Sequence, residues 1–244
     1  MVPCTSVVFE HSIVMPVPLY RLYHHPLDPP SRRVRLALGE KILAFDAVVE
    51  KPWAPRPDYL ELSPAGDVPT LVIQTGDEQL VVADATAICE YLEETQPTPT
   101  LLGDAPVERA EVRRLVQWFE RKTWHEVTTY FVTEKAIKRL CGQNESPDSS
   151  LIRTGCYNIH AHLDYIGWLT EHRNWLAGDH ITLADLSAAA QFSAMDYLGD
   201  VPWSKHPEAK EWYARIKSRP SFRPLLGDHI AGLMPPKHYA DLDF

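Results

Sequence analysis

Between residues 18 and 96, short stretches of period two alternate with stretches of period 3.6, and beyond residue 106 only the second kind remains. Leu19-Tyr20-Arg21-Leu22-Tyr23 alternates like a half-buried strand. Pro29-Pro30-Ser31 opens a helix that runs through Glu40, proline being suited to a first turn. Phe45 to Val49 reads as a second strand, and a proline-rich loop carrying Trp53 leads to a short helix from Asp58 to Leu62. Thr70 to Gln74 and Leu80 to Val82 flank Gly76-Asp77, the turn of a hairpin. A helix from Asp84 to Thr95 carries Ile88, Tyr91 and Leu92 on one face. The order β-α-β-α-β-β-α predicts an α/β unit around a mostly parallel sheet.

Pro97-Thr98-Pro99 breaks the pattern as a linker does. After it, Pro106 to Leu140 predicts a long helix, with Val112, Leu115, Val116, Phe119 and Trp124 at helical spacings. A second helix runs from Asp148 to Glu171 and another from Pro207 to Lys217. Between them, Thr182 and Asp185 hold the spacing of a capping box ahead of an apolar run. The division that follows is an extension over 1–17, an α/β unit over 18–96, a linker over 97–105, an all-helical unit over 106–226 and a tail over 227–244. In the tail, Pro235-Pro236 favours an extended course, and the end from His238 to Phe244 mixes aromatic and acidic residues. Such an end either packs back as a strut or offers anchors to a partner. Both hold together if only the proximal part docks.

Composition narrows the classes. A hydrophobic share of 45% with 23% charged residues is that of a globular protein, and no run of about 18 apolar residues offers a membrane span. Residues 1–14 lack the basic start of a signal peptide. A net charge of −9, with Arg32, Arg33 and Arg35 as the only basic cluster, disfavours nucleic acid and anionic lipid. Cys4, Cys89, Cys141 and Cys156 form no C-x-x-C pair, which suits a reducing cytosol. His24-His25 and His160-Ala161-His162 lack the carboxylate or thiolate that would complete a tetrahedral set, so no metal is expected.

Two motifs carry a resemblance. Leu62 to Leu71 reads L-S-P-A-G-D-V-P-T-L, where a cis Val68-Pro69 bond would leave backbone groups open to an extended peptide. Leu176 to Leu186 reads L-A-G-D-H-I-T-L-A-D-L. Over residues 18–226 the chain thereby resembles the glutathione transferase superfamily. That implies an N-terminal thioredoxin-like domain followed by an all-helical C-terminal domain. In the family, a Ser, Tyr or Cys in the turn before the first helix donates to the glutathione thiol, often within S-P-x-x-R-K-V-R. Here the matching stretch is Asp28-Pro29-Pro30-Ser31-Arg32-Arg33-Val34-Arg35, so Asp28 holds that position. An ionised carboxylate donates nothing and raises the pKa of a nearby thiol. The family's γ-glutamyl anchor, E/D-S-x-A-I, reads Asp84-Ala85-Thr86-Ala87-Ile88, which keeps the acid and loses the hydroxyl at Ala85. The implied glutathione site is thus degenerate at Asp28, Val68, Pro69, Asp84 and Ala85. No catalytic residue is assigned, with Ser31 at a helix N-terminus as the fallback.

These losses, the Trp53 loop and the terminal D-L-D-F resemble a non-catalytic, division-site branch of the superfamily. That resemblance implies a cytoplasmic homodimer at the division site, without a cofactor, binding FtsZ filaments and linked to septal wall synthesis through its tail. The third helix and the long helix would make the dimer. Contact candidates are Trp53, Trp118, Phe119, Tyr239, Asp241, Leu242, Asp243 and Phe244. The alternative is a cytosolic glutathione transferase or glutathione-dependent reductase acting through Ser31 and the Val68-Pro69 backbone.

Overall fold

A computed structural model describes residues 17–142 and 145–242. In it the α/β unit runs β1 (Leu19–His24), α1 (Pro29–Glu40), β2 (Phe45–Val49), α2 (Pro57–Leu62), β3 (Thr70–Thr75), β4 (Glu78–Ala83) and α3 (Ala85–Thr95). The sheet order is β2-β1-β3-β4. Only β1 and β2 are parallel; β3 runs antiparallel to both β1 and β4, which corrects the expectation of a mostly parallel sheet. Helix length explains the sense. At 1.5 Å per residue, the 12-residue α1 rises about 18 Å and carries the chain back along the sheet. The 6-residue α2 rises only about 9 Å, so β3 starts at the end where β2 stopped. The β3–β4 hairpin then closes through Gly76, whose φ of 60° a side chain would disfavour.

The helical unit begins with one continuous run: α4 (Pro106–Gln117), a π-helical stretch (Trp118–Thr128), α5 (Thr129–Val132), a second π-helical stretch (Thr133–Ile137) and α6 (Lys138–Leu140). Inside the first wide stretch, the Thr123 hydroxyl donates to the Trp118 carbonyl five residues back at 3.3 Å. Helices α7 (Ser149–His172), α8 (Leu183–Tyr197), α9 (Pro207–Lys217) and α10 (Arg223–Leu226) complete the unit. Every residue of α8 is buried, and it packs against α1, α4 and the first π-helical stretch. Its start is the expected capping box. Asp185 accepts from the Leu176 and Thr182 N–H groups at 2.9 and 3.0 Å, from the Trp212 indole at 3.1 Å and from the Thr182 hydroxyl at 3.2 Å. Among the described residues no helix is long and apolar enough to cross a membrane.

The tail is a strut through Tyr239. Ile230 and Tyr239 are buried in a satellite core with Leu27, Val132, Ala136, Ala194 and Tyr197. Lys217 Nζ donates to the His238 carbonyl at 2.9 Å, and the His238 ring lies 3.1 Å from the buried Asp196 carboxylate. The arginine cluster of α1 is no surface patch: Arg32, Arg33 and Arg35 are all buried. Arg35 grips Asp228 of the tail through two hydrogen bonds of 2.7 and 2.9 Å. Arg33 faces Glu120 at 3.5 Å.

Candidate functional site at one end of the sheet

Register assembles the site. Tyr23 of β1 pairs with Thr70 of β3, and Thr70 pairs with Ala83 of β4. The turn after β1, the Val68-Pro69 bond before β3 and the Asp84-Ala85 start of α3 therefore meet at one end of the sheet. The Asp84 N–H closes the group by donating to the Pro69 carbonyl at 3.2 Å. The Val68-Pro69 bond is cis. The Val68 backbone N–H and C=O take no hydrogen bond from the described residues, which leaves them available to an extended peptide. Asp84 sits at a φ of 77°, and its carboxylate accepts from the Thr86 and Ala87 N–H groups at 2.7 and 3.0 Å. Ala85 is buried and its side chain brings no polar atom.

The turn itself is built around Asp28. Its carboxylate accepts from the Ser31 N–H at 2.8 Å and so caps α1. Burial pushes its pKa up to about 7, against the opposing hydrogen bonds of Ser31. Its proton therefore comes off far closer to neutrality than that of the plain carboxylate that the sequence suggested. Ser31 is fully buried, and its oxygen accepts from the His25 N–H at 3.3 Å. His24 and His25 are buried and held neutral, each lowered to about 4 by burial first, with Arg35 adding to the effect at His24 and Arg32 at His25. Trp53 stands edge-on to the His25 ring at 4.9 Å, which fastens the proline-rich loop to the turn.

The other sequence candidates fall elsewhere. Trp118 is half-buried, its indole donating to His162 Nδ1 at 3.2 Å and its ring 4.4 Å from Tyr165. Phe119 and Tyr239 are 0% exposed, so neither can be a surface contact, because each fills a core. Asp241 and Leu242 are exposed; Asp243, Phe244 and Cys4 lie outside the described residues. Cys89 is buried, with its thiol pushed up to about 11 by burial. Among the described residues no group of three or more His, Cys, Asp and Glu is gathered for a metal.

Sequence reasoning named Arg32 only as part of a basic cluster and missed its burial and its contacts. Its Nε donates to the Pro26 carbonyl at 2.6 Å, and its Nη1 to the Ser193 hydroxyl and the Tyr239 hydroxyl, both at 2.9 Å. The available signal was the interleaving of Arg32, Arg33 and Arg35 with Val34, Leu36 and Leu38, which leaves α1 no polar face to turn to water.

Residues 29–95 match the family pattern described as Glutathione S-transferase, N-terminal domain, and residues 161–220 match Glutathione S-transferase, C-terminal domain. The chain is 48% identical over 223 residues to FtsZ-localized protein A of Caulobacter vibrioides (strain NA1000 / CB15N), covering 91% of this chain and 97% of that one. The solved structure of FzlA from C. crescentus superposes with a TM-score of 0.90 at 48% identity, covering 93% of this chain and all (100%) of the other. A structure described as a glutathione S-transferase from Rhodospirillum rubrum F11 superposes with a TM-score of 0.88 at 54% identity over the same shares, 93% and 100%.

Proposed function

The chain belongs to the glutathione S-transferase family, and from that premise we propose that it is a catalytically silent member that binds FtsZ filaments. The observation that carries the reading is the near full-length likeness to an FtsZ-localized relative. The site geometry is compatible with it. Where the family places a hydroxyl beside the thiol, Asp28 is occupied in capping α1. Where it places a serine at the γ-glutamyl end, Ala85 is buried without a donor. The protein acts as a cytoplasmic homodimer at the division site, needs no cofactor, and connects filaments to septal wall synthesis through the residues from Asp241 onward.

High-speed co-sedimentation with GTP-assembled FtsZ tests this. Saturable pelleting over an FtsZ-free control is expected. Absence of pelleting at concentrations well above the polymer's overturns the proposal.

One observation favours a second reading, a glutathione-dependent transferase or reductase. The cis Val68-Pro69 turn still presents the Val68 backbone, unpaired among the described residues, that would hold a cysteinyl group. Retention on immobilised glutathione with elution by the free tripeptide supports that reading, and passage through the resin removes it.

A further inference from the structure

We infer that Arg32 is a positioning residue that couples the C-terminal segment to the β1–α1 turn, so that the state of the tail is felt at the Trp53 loop. A guanidinium is a rigid planar fork, and the three segments that it joins cannot shift independently without leaving a buried donor open. Here one nitrogen holds Pro26 of the turn, and another holds both Ser193 of α8 and Tyr239 of the tail. The group is 0% exposed, and the rings of Tyr197 and Tyr239 lie 5.8 and 6.0 Å from its central carbon. Its remaining nitrogen makes no hydrogen bond and has Asp228 at 3.8 Å.

The contacts continue on both sides without a gap. Tyr239, while accepting from Arg32, donates to the Leu225 carbonyl at 3.0 Å. Its ring shares a cluster with Leu27, which belongs to the turn. The Leu27 N–H donates to His25 Nδ1 at 3.3 Å, and the His25 ring supports Trp53. Arg35 and Asp228 form a separate clasp nearer the start of the tail, so loss of the Tyr239 hydroxyl loosens the distal part alone. Asp241, whose N–H donates to the His238 carbonyl at 3.1 Å, and the exposed Leu242 follow Tyr239 closely along the chain. A partner that grips Leu242 pulls on the segment that Arg32 holds. This goes beyond the FtsZ reading, because it holds for any partner of the tail.

The test is amide hydrogen exchange, read by mass spectrometry on the full chain without FtsZ, for wild type and Tyr239→Phe. The variant keeps the ring and removes only the hydroxyl. Exchange across residues 25–32 and 50–56 is expected to quicken roughly 2- to 10-fold, as the loss of one net hydrogen bond allows. The amides of α8 keep their wild-type rates. Arg32→Lys, which keeps the charge but replaces a fork by one point, quickens the same two regions. Wild-type rates in the turn while the tail loosens sink the inference. So does equal quickening in α8, which marks a general loss of stability. Failure of co-sedimentation would remove the filament reading and leave this result untouched.

Discussion

Two aspartates, Asp185 buried and Asp28 partly buried, stand at helix starts in this chain, and they differ in how completely their oxygens are used. Asp185, at the start of α8, receives two backbone N–H groups, an indole and a hydroxyl. Asp28, at the start of α1, receives the Ser31 N–H. Burial raises the pKa of both. For Asp185 the hydrogen bonds oppose that rise, and the acid becomes a structural pin between α8, α9 and the loop before them. Asp28 has fewer donors, and burial takes its pKa up to about 7. The comparison separates a carboxylate that pins several elements together from one that caps a single helix.

Breaking the pin has the largest expected effect. Asp185→Ala leaves the Leu176 and Thr182 N–H groups and the Trp212 indole without their acceptor, at about 1–3 kcal/mol for each buried unsatisfied group. A loss of at least about 3 kcal/mol is expected in urea unfolding; a loss below about 1 kcal/mol would show that the neighbours find other partners.

Asp28→Asn sharpens the contrast through pH. The folded pKa near 7 lies above the unfolded value near 4, so between those pH values the folded chain binds more protons than the unfolded one. Wild type therefore gains on the non-titrating variant as pH falls through that window, by at most about 1.4 kcal/mol per unit. His24 and His25 work the other way. Lowered to about 4, they stabilise the fold above about pH 6.5, and that contribution is lost as pH falls. Only the difference between the two proteins isolates Asp28. A difference that stays flat from pH 7.5 to 5 would refute the raised pKa.

The smallest expected effect is chemical. Asp28→Ser restores a hydroxyl beside the cis turn, yet Ala85 still lacks its own. Conjugation of glutathione to an aryl halide is expected to stay within about tenfold of wild type, since recovery of one hydrogen bond out of two is worth only about 1 kcal/mol. A gain of several orders of magnitude would show that the rest of the pocket is intact.

What could be read from the sequence follows from how local each signal is. Helix starts at Pro29, Asp84, Asp148 and Thr182, the Gly76 turn and the cis Val68-Pro69 bond are written in adjacent residues, and the structure has all of them. The sense of β3 depends on where the α2 connection ends, which periodicity does not encode. The burial of the α1 arginines depends on Glu120, Ser193, Asp228 and Tyr239, residues far away along the chain. Charge alone predicts exposure, and only tertiary contact reverses it. For the same reason the tail read equally well as a strut or as a lure.

Arg32 and Tyr239 are separated by 207 positions, and this distance has a meaning in time. A ribosome releases α1 long before the tail. Until the final segment emerges, the cleft that receives Tyr239 is open and the Arg32 and Arg35 guanidinium groups keep their water, because a buried cation without its partners is costly. The nascent α1 thus waits for the tail before Arg32 and Arg35 have all their partners. A message cut short before Asp228 would yield a chain whose Arg35 never finds its counter-charge.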